Sequence, residues 1–385
     1  FWAETDYIGR MMKLLRKFAP KFLMSSYHLW WAALGAILYG FPARKMMVIG
    51  VTGTDGKSTT TEMITRIFKE AGFKTCSTSS VWFQSGDRKW KNRLKMGMPG
   101  RMFLQKFLRQ ARKEGCTHAV VEVSSEGILQ NRHRFLNFHT AVITNLSPEH
   151  IERHGSFEKY RAEKQKLFYA TRNVHVLNGD DENAQYFLRI GAKQVYVYGL
   201  QKAPSLPDVT RYLSAENILE RRDGTSFQSN GKEFQLKLIG KFNTYNALAA
   251  ICVGLAHGVS METCKDALAK MERMPGRTDP VVEHPYVAMI DYAVTPKALE
   301  NLYSGVRRLF EPKRLICVLG ACGGGRDKWK RPILGKIASS YCDTIILTNE
   351  DPYDEDPREI LAQIKSGAPN FSVHEVPDRR EAIRE

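Results

Sequence analysis

Residues 46–72 read MMVIGVTGTDGKSTTTEMITRIFKEAG, an apolar run, a Gly-rich turn and an amphipathic stretch that closes near Gly72. Strand, turn and helix in that order are the context in which G-x-x-x-x-G-K-[ST] cradles phosphate. Read from Gly50 with one residue of slack, Gly53, Gly56, Lys57 and Ser58 occupy the key places. Backbone N–H groups and the helix N-terminus would hold phosphate oxygens, Lys57 would reach the β/γ oxygens, and the Ser58 hydroxyl would sit on Mg²⁺.

Such a site needs an acidic residue at the end of a neighbouring strand to hold magnesium. THAVVEVSSEG (117–127) supplies an apolar strand with Glu122 near its end, and TAVITNLSPEH (140–150) a second that ends in Asn145 and leads to His150. A lone strand-end Glu or loop His is ordinary. Three strand ends converging on one edge of a parallel sheet make a stronger case for a ligand site, because ligands collect at the carboxyl ends of such strands.

From Ser156 the chain reads as a helix, and at about 100° per residue Phe157, Tyr160, Leu167 and Phe168 form one apolar stripe. Lys164 falls inside that stripe, whereas Lys159, Glu163 and Lys166 point away. A buried cationic lysine costs several kcal/mol or loses its proton. The other reading is a lysine snorkelling from the stripe edge.

The 385 residues suggest two or three domains, and 43% hydrophobic content without low-complexity tracts fits an ordered chain. Seven cysteines form no CxxC pair and read as reduced core thiols, hence a cytoplasmic protein. The net charge of +16 favours anionic partners. Its basic runs, at 10–21, 87–95 and 325–332, read as solvated faces, and nucleic-acid binding is not expected. Between Lys21 and Arg44 lie 22 uncharged residues, too interrupted for a spanning helix. Two readings stay open there, a segment lying in the membrane interface or a buried helical hairpin. The start at Phe1, without methionine, suggests a trimmed N-terminus.

Taken together, TGTDGKST, EVSSEG, TNLSPEH and HGSFEKY resemble the Mur ligase family of ATP-dependent, ADP-forming amide ligases, most closely its MurE branch. GKFNTYNALAA (240–250), MPGRTDPV (274–281), DYAVTPKALE (291–300) and GGGRDKWKRP (323–332) continue the family order from about Lys45 to the end. The resemblance implies an α/β fold, a P-loop ATPase domain with a mainly parallel central sheet followed by a Rossmann-like α/β domain. Three parts are expected: a basic/apolar segment at 1–44, the ATP-binding domain at 45–274, and the second α/β domain at 275–385, read as incomplete.

By the same resemblance Ser58, Glu122, His150 and a CO₂-derived carbamate on Lys164 would hold magnesium, two ions in all. Gly53, Thr54, Asp55, Gly56, Lys57, Ser58 and Thr59 would cradle the ATP phosphates. Asn243 and Asn246 would face adenine, Arg277 and Asp291 the ribose and phosphates, and Arg326 would swing in on closure. A substrate carboxylate would take the γ-phosphate, giving an acyl phosphate and ADP, and an amino-acid amine would displace phosphate. The catalytic set is then Lys57, Glu122, His150, Lys164 and Arg326, with a monomer as the expected working unit.

The departures bear on the acceptor. Only about 45 residues precede the phosphate segment, where the MurE branch has a whole domain for the UDP end, so a lipid-linked muropeptide at the membrane face becomes an alternative acceptor. Asp55, Glu126 and Val294 replace an Asn, a His and a His of the family pattern. Ser124 and Ser125 are candidate acceptor contacts. EDPY (350–353) stands where diaminopimelate-adding members carry D-N-P-R, and Tyr353 in place of that arginine argues against meso-diaminopimelate. Glu350 or Asp351 would suit an amine-terminated side chain, or simply cap a turn.

The leading expectation is therefore a MurE-like ligase joining an amino acid to a peptidoglycan-precursor carboxylate. A MurT- or folylpolyglutamate-synthase-like ligase with another acceptor is the second enzyme reading. A P-loop regulator or nucleic-acid-binding ATPase is the non-enzyme rival, and it leaves Lys164 unexplained.

Overall fold

The computed structural model describes residues 21–94, 96–201 and 210–385. The basic run at 10–21 therefore lies outside the described residues except for the backbone of Lys21. A helix, α1 (Lys21–Leu38), leads through a short turn at Pro42–Lys45 into the main sheet. Among the described residues this segment is one helix and a turn, not a hairpin.

The main sheet has nine strands: β1 (Met47–Thr52), β2 (Thr75–Thr78), β3 (Trp82–Ser85), β4 (Arg88–Lys91), β5 (His118–Glu122), β6 (Phe138–Ile143), β7 (Val174–Asn178), β8 (Gln194–Gly199) and β9 (Thr210–Ser214). Their order is β4-β3-β2-β5-β1-β6-β7-β8-β9. Only β2–β3 and β3–β4 pair antiparallel, so the sheet is mainly parallel, as expected. Val48, Ile49 and Val51 of β1 are fully buried because helices cover both faces, which is why the strand reads as an unbroken apolar run.

The covering helices include α2 (Lys57–Glu70), α3 (Arg101–Lys113), α4 (Phe157–Tyr169), α5 (Phe242–Ala256) and α6 (Met261–Ala269). Ser156 and Ser260 start α4 and α6 by accepting the N–H groups of Lys159 and Thr263. Register fixes the site: Val51 pairs with Glu122 on one side of β1, and Thr52 with Ile143 on the other. The ends of β1, β5 and β6 thus meet at one edge.

A three-stranded antiparallel sheet within 216–236 packs Phe227, Phe234 and Leu236 into the first core, and the C-terminal part of the chain builds a second body. Its parallel sheet joins β10 (Ile316–Leu319), β11 (Thr344–Leu347) and β12 (Val373–Glu375). Around it pack α7 (Pro296–Phe310), α8 (Lys330–Tyr341) and α9 (Pro357–Lys365). Thr295 and Asp356 cap α7 and α9 ahead of Pro296 and Pro357, the residue type suited to a first helical position. Leu299, Leu319, Leu334, Ile345, Ile360 and Ile364 form its separate core.

Candidate active site

The Gly-rich turn between β1 and α2 needs its glycines. Gly53 and Gly56 lie at φ 147° and 79°, and a Cβ at either would run into Thr144 Oγ1 or Asn246 Oδ1. Gly56 stands at the N-cap of α2 and offers no side chain, and the first turn carries no acidic residue. The helix therefore presents bare N–H groups and its positive end to the turn, the arrangement that binds a phosphate. Lys57 Nζ donates to Thr54 O at 2.7 Å, folding over the loop. Thr54 Oγ1 ties the loop to β6's exit by donating to Ser147 O (3.2 Å) and accepting Ser147 N–H (3.0 Å). Asp55 N–H donates to Asn145 Oδ1 at 2.9 Å. Thr59 is buried one residue beyond Ser58.

Ser58 Oγ donates to Glu122 Oε2 at 2.8 Å, so the loop and the end of β5 share one oxygen-rich point. The sequence reading missed Ser80 here: its N–H also donates to Glu122 Oε2 (2.9 Å), and its hydroxyl lies 2.7 Å from Ser58 Oγ. A hydroxyl, a carboxylate and a second hydroxyl are hard oxygen donors of the kind magnesium takes, so the residues present fit that ion.

Lys164 is 1% exposed, on the buried face of α4 beside Tyr160, Leu167 and Phe168, so it does not snorkel. Its Nζ donates to Gly53 O at 2.8 Å and stands 4.7 Å from the Tyr160 ring. Burial, then the nearby Lys57 charge, hold its ammonium well below the usual lysine range. That direction favours the uncharged amine over the ammonium at this buried position. One detail of the helical wheel is corrected: Glu163, expected to point away, is buried and accepts Lys166 Nζ at 2.8 and 3.0 Å. The exposed Lys166, three residues along the helix, supplies that carboxylate with its ion-pair partner.

His150 takes a left-handed backbone conformation, φ 57°, just before the short helix Ile151–His154. Burial first, then the charges of Arg326, Lys164, Lys57 and Lys330, push its imidazole down to about 2, so it stays neutral. Ser124 caps the short helix Ser125–Leu129 through Gly127 N–H (3.1 Å), and Ser125 is buried.

Asn243 and Asn246 lie one turn apart on α5, where Asn246 Nδ2 donates to Asn243 Oδ1 (3.0 Å) and Asn246 Oδ1 accepts Thr60 Oγ1 (3.3 Å). Asp291 Oδ2 accepts Thr278 N–H (2.6 Å) and Thr278 Oγ1 (3.2 Å), and Arg277 stacks over the Tyr292 ring at 5.1 Å. Burial raises the Asp291 carboxyl above its ordinary range. Arg326 is half-buried on the Gly-rich loop of the second body, near enough for its charge to act on His150.

The second body grips this edge by contacts that sequence reading did not foresee. Lys330 Nζ donates to both Glu149 oxygens, at 2.7 and 2.9 Å, with both residues buried. Asp327 accepts the N–H groups of Ile151 (3.1 Å) and Glu152 (2.9 Å), while Lys328 N–H donates to Glu152 Oε1 (2.7 Å). Thr295 Oγ1 donates to Asp55 Oδ2 at 3.1 Å. The run at 325–332, read as a solvated basic face, is thus partly interior. Its signal was an aspartate set among the cations.

Glu350, Asp351 and Tyr353 sit on the turn after β11, against the loop of Arg326, with Gly323 N–H donating to Asp351 O at 3.1 Å. Tyr353 is exposed and in the left-handed region, φ 55°. The structure gathers Lys57, Ser58, Glu122, His150, Lys164 and Arg326 at one edge and sets 350–353 on the opposing loop.

Residues 51–254 match the Mur ligase middle domain and residues 276–385 the Mur ligase glutamate ligase domain. A UDP-N-acetylmuramoyl-L-alanyl-D-glutamate–2,6-diaminopimelate ligase of Geobacillus kaustophilus is 36% identical over 380 residues, 95% of this chain and 76% of that protein. A UDP-N-acetylmuramyl-tripeptide synthetase of Roseiflexus sp. is 36% identical over 378 residues, 92% of this chain and 73% of the other. Among solved structures, one of a UDP-N-acetylmuramoyl-L-alanyl-D-glutamate–2,6-diaminopimelate ligase superposes with TM-score 0.59 and 28% identity, covering 88% of this chain and 69% of the other. Mycobacterium tuberculosis folylpolyglutamate synthase bound to ADP gives TM-score 0.73 at 18% identity over 99% of this chain and 90% of its own, a likeness of fold alone.

Proposed function

The chain belongs to the Mur ligase family, and from that premise we propose that it joins an amino acid to a carboxylate of a peptidoglycan-precursor peptide, forming ADP through an acyl phosphate. It is an acid–amino-acid ligase of the ADP-forming kind, using ATP and Mg²⁺ with a muropeptide acceptor. The observation that carries the reading is the convergence at one strand edge. An uncapped helix N-terminus, the Ser58–Glu122 pair and the buried Lys164 meet there, opposite Arg326 of the second body.

We read residues 45–274 as the ATP-binding unit and 275–385 as the unit that closes on it. Lys57 and the N–H groups of α2 would hold the phosphates, with Arg326 meeting them from the closing body. Asn243 and Asn246 would face the adenine, and Arg277 and Asp291 the ribose side. Ser58, Glu122, neutral His150 and a carbamate on Lys164 would hold two magnesium ions, which supply charge neutralisation at the phosphates. Closure would exclude water from the acyl phosphate.

The added amino acid in this reading is not meso-diaminopimelate, because Tyr353 stands where an arginine would meet its distal carboxylate. Glu350 or Asp351 would instead receive an amine. The working unit in this reading is a monomer at the cytoplasmic face of the cell membrane. ADP release measured across an amino-acid panel, with UDP-linked and lipid-linked muropeptide acceptors, tests the assignment. Release that depends on one acceptor–amino-acid pair is expected; turnover indifferent to every pair would sink it.

A further inference from the structure

Helix α1 packs the reverse of an ordinary surface helix. Its small residues Ala32, Gly35 and Ala36 face the body and are buried, with Gly35 against Met102 of α3. Its large residues face outward: Leu23, Tyr27, Trp30, Ile37 and Leu38 are 37% to 62% exposed. At about 100° per residue these five side chains share roughly 100° of arc, the width of a buried stripe, here turned to solvent. They run the length of the helix, about 1.5 Å per residue.

Among the described residues the charges carried by the helices along that stripe are cationic. Neither α1 nor α3 contains an acidic residue, and the exposed positions of α3 include Lys106, Arg109, Arg112 and Lys113. Arg109 Nη1 donates to Tyr39 O (3.0 Å), bringing one of those cations to the end of α1. Arg44 and Lys45 are exposed just beyond it, with Arg44 over the Phe41 ring at 4.2 Å. No helix among the described residues is long and apolar enough to cross a membrane.

We propose that α1 is an in-plane membrane anchor whose outward stripe enters the interface of an anionic bilayer, held by the cations of α3 and residues 44–45. An apolar face carrying Trp30 and Tyr27, flanked by cations, is the pattern that binds such a surface, through buried apolar area plus attraction to anionic lipid. A second protein would meet the same apolar stripe, but the cations of α3 and residues 44–45 beside it favour a surface of dense negative charge. The anchor stands on this face alone and does not depend on the ligase reading.

The test is sedimentation of the full chain with vesicles of 30% phosphatidylglycerol in phosphatidylcholine, against pure phosphatidylcholine. Binding to the anionic vesicles is expected, at least tenfold weaker on phosphatidylcholine and weakened by salt. The triple variant Trp30→Ser, Ile37→Ser, Leu38→Ser should lose at least tenfold. Lys106→Gln with Lys113→Gln should lower anionic binding severalfold. Both variants should keep the far-ultraviolet circular dichroism spectrum and the thermal midpoint of the unaltered chain within a few degrees, showing that they fold. No anionic binding by the unaltered chain, or equal binding by the triple variant, overturns the proposal. So does a dimer in light scattering that the triple variant abolishes, which would assign the face to a second copy. In a variant keeping Trp30 as its single tryptophan, shielding from acrylamide quenching in vesicle-free buffer would show the face already covered and overturn it too.

Discussion

Removing the Lys330 side-chain charge while keeping its length, Lys330→Met, tests whether the second body assembles the site. Lys330 and Glu149 are 5% and 4% exposed and share two bonds of 2.7 and 2.9 Å. Losing one partner strands a buried carboxylate, at a cost of about 3–5 kcal/mol. Because the pair spans the two bodies, the cost falls on their docked arrangement, and at about 1.4 kcal/mol per tenfold that is roughly two to three and a half orders of magnitude. The assay is kcat/KM for ATP at saturating acceptor, with small-angle scattering to read docking directly. A loss of at least a hundredfold is expected, with a more extended particle. The double variant Glu149→Gln, Lys330→Met leaves no bare charge and should recover at least tenfold. A single variant within threefold of the unaltered chain, or a double variant no better than the single, would refute the reasoning.

Lys164→Ala should abolish ADP release and regain part of it with millimolar formate or acetate, which place a carboxylate where the carbamate would stand; full activity without rescue discards the carbamate. Glu122→Gln should raise the Mg²⁺ concentration needed for half-maximal ADP release at least tenfold, since it removes the charge beside Ser58; an unchanged magnesium titration would remove Glu122 from the ion's neighbourhood. Tyr353→Arg should increase turnover with meso-diaminopimelate relative to lysine, and an unmoved ratio would detach that turn from amino-acid choice. Acid should weaken the fold through His118 and His133, both buried and each held by burial down to about 4 from an ordinary 6.5. The unfolded chain takes up these protons below about 6.5 and the folded chain only near 4, so their contribution is full above that window and lost as pH falls through it. The slope is about 1.4 kcal/mol per pH unit for each histidine, and denaturant midpoints at pH 7 and pH 5 should differ accordingly; midpoints that coincide would contradict it.

What was legible in the sequence was short in range. The strand–turn–helix at 46–72, the strand-end Glu122 and the stripe position of Lys164 each follow from neighbours a few residues apart. Glu149–Lys330 joins residues 181 positions apart, and Asp327–Ile151 joins residues 176 apart, so no local period announces either. Ser80 was hidden for a related reason: it reaches Glu122 only because β2 pairs with β5. The Glu163 wheel position misled because it lies only about 40° beyond the apolar arc, and the buried face proves wide enough to include it.

Asp327 holds Ile151 and Glu152 by their main-chain N–H groups, not their side chains. A contact read from the backbone is indifferent to what position 151 carries, provided it is not proline, whereas position 327 must keep two acceptor oxygens on a short stem. The two sides of one junction therefore drift unequally under mutation. A saturation library should accept most residues at 151 and few at 327, making 151 a position where a label can be placed to watch the bodies meet.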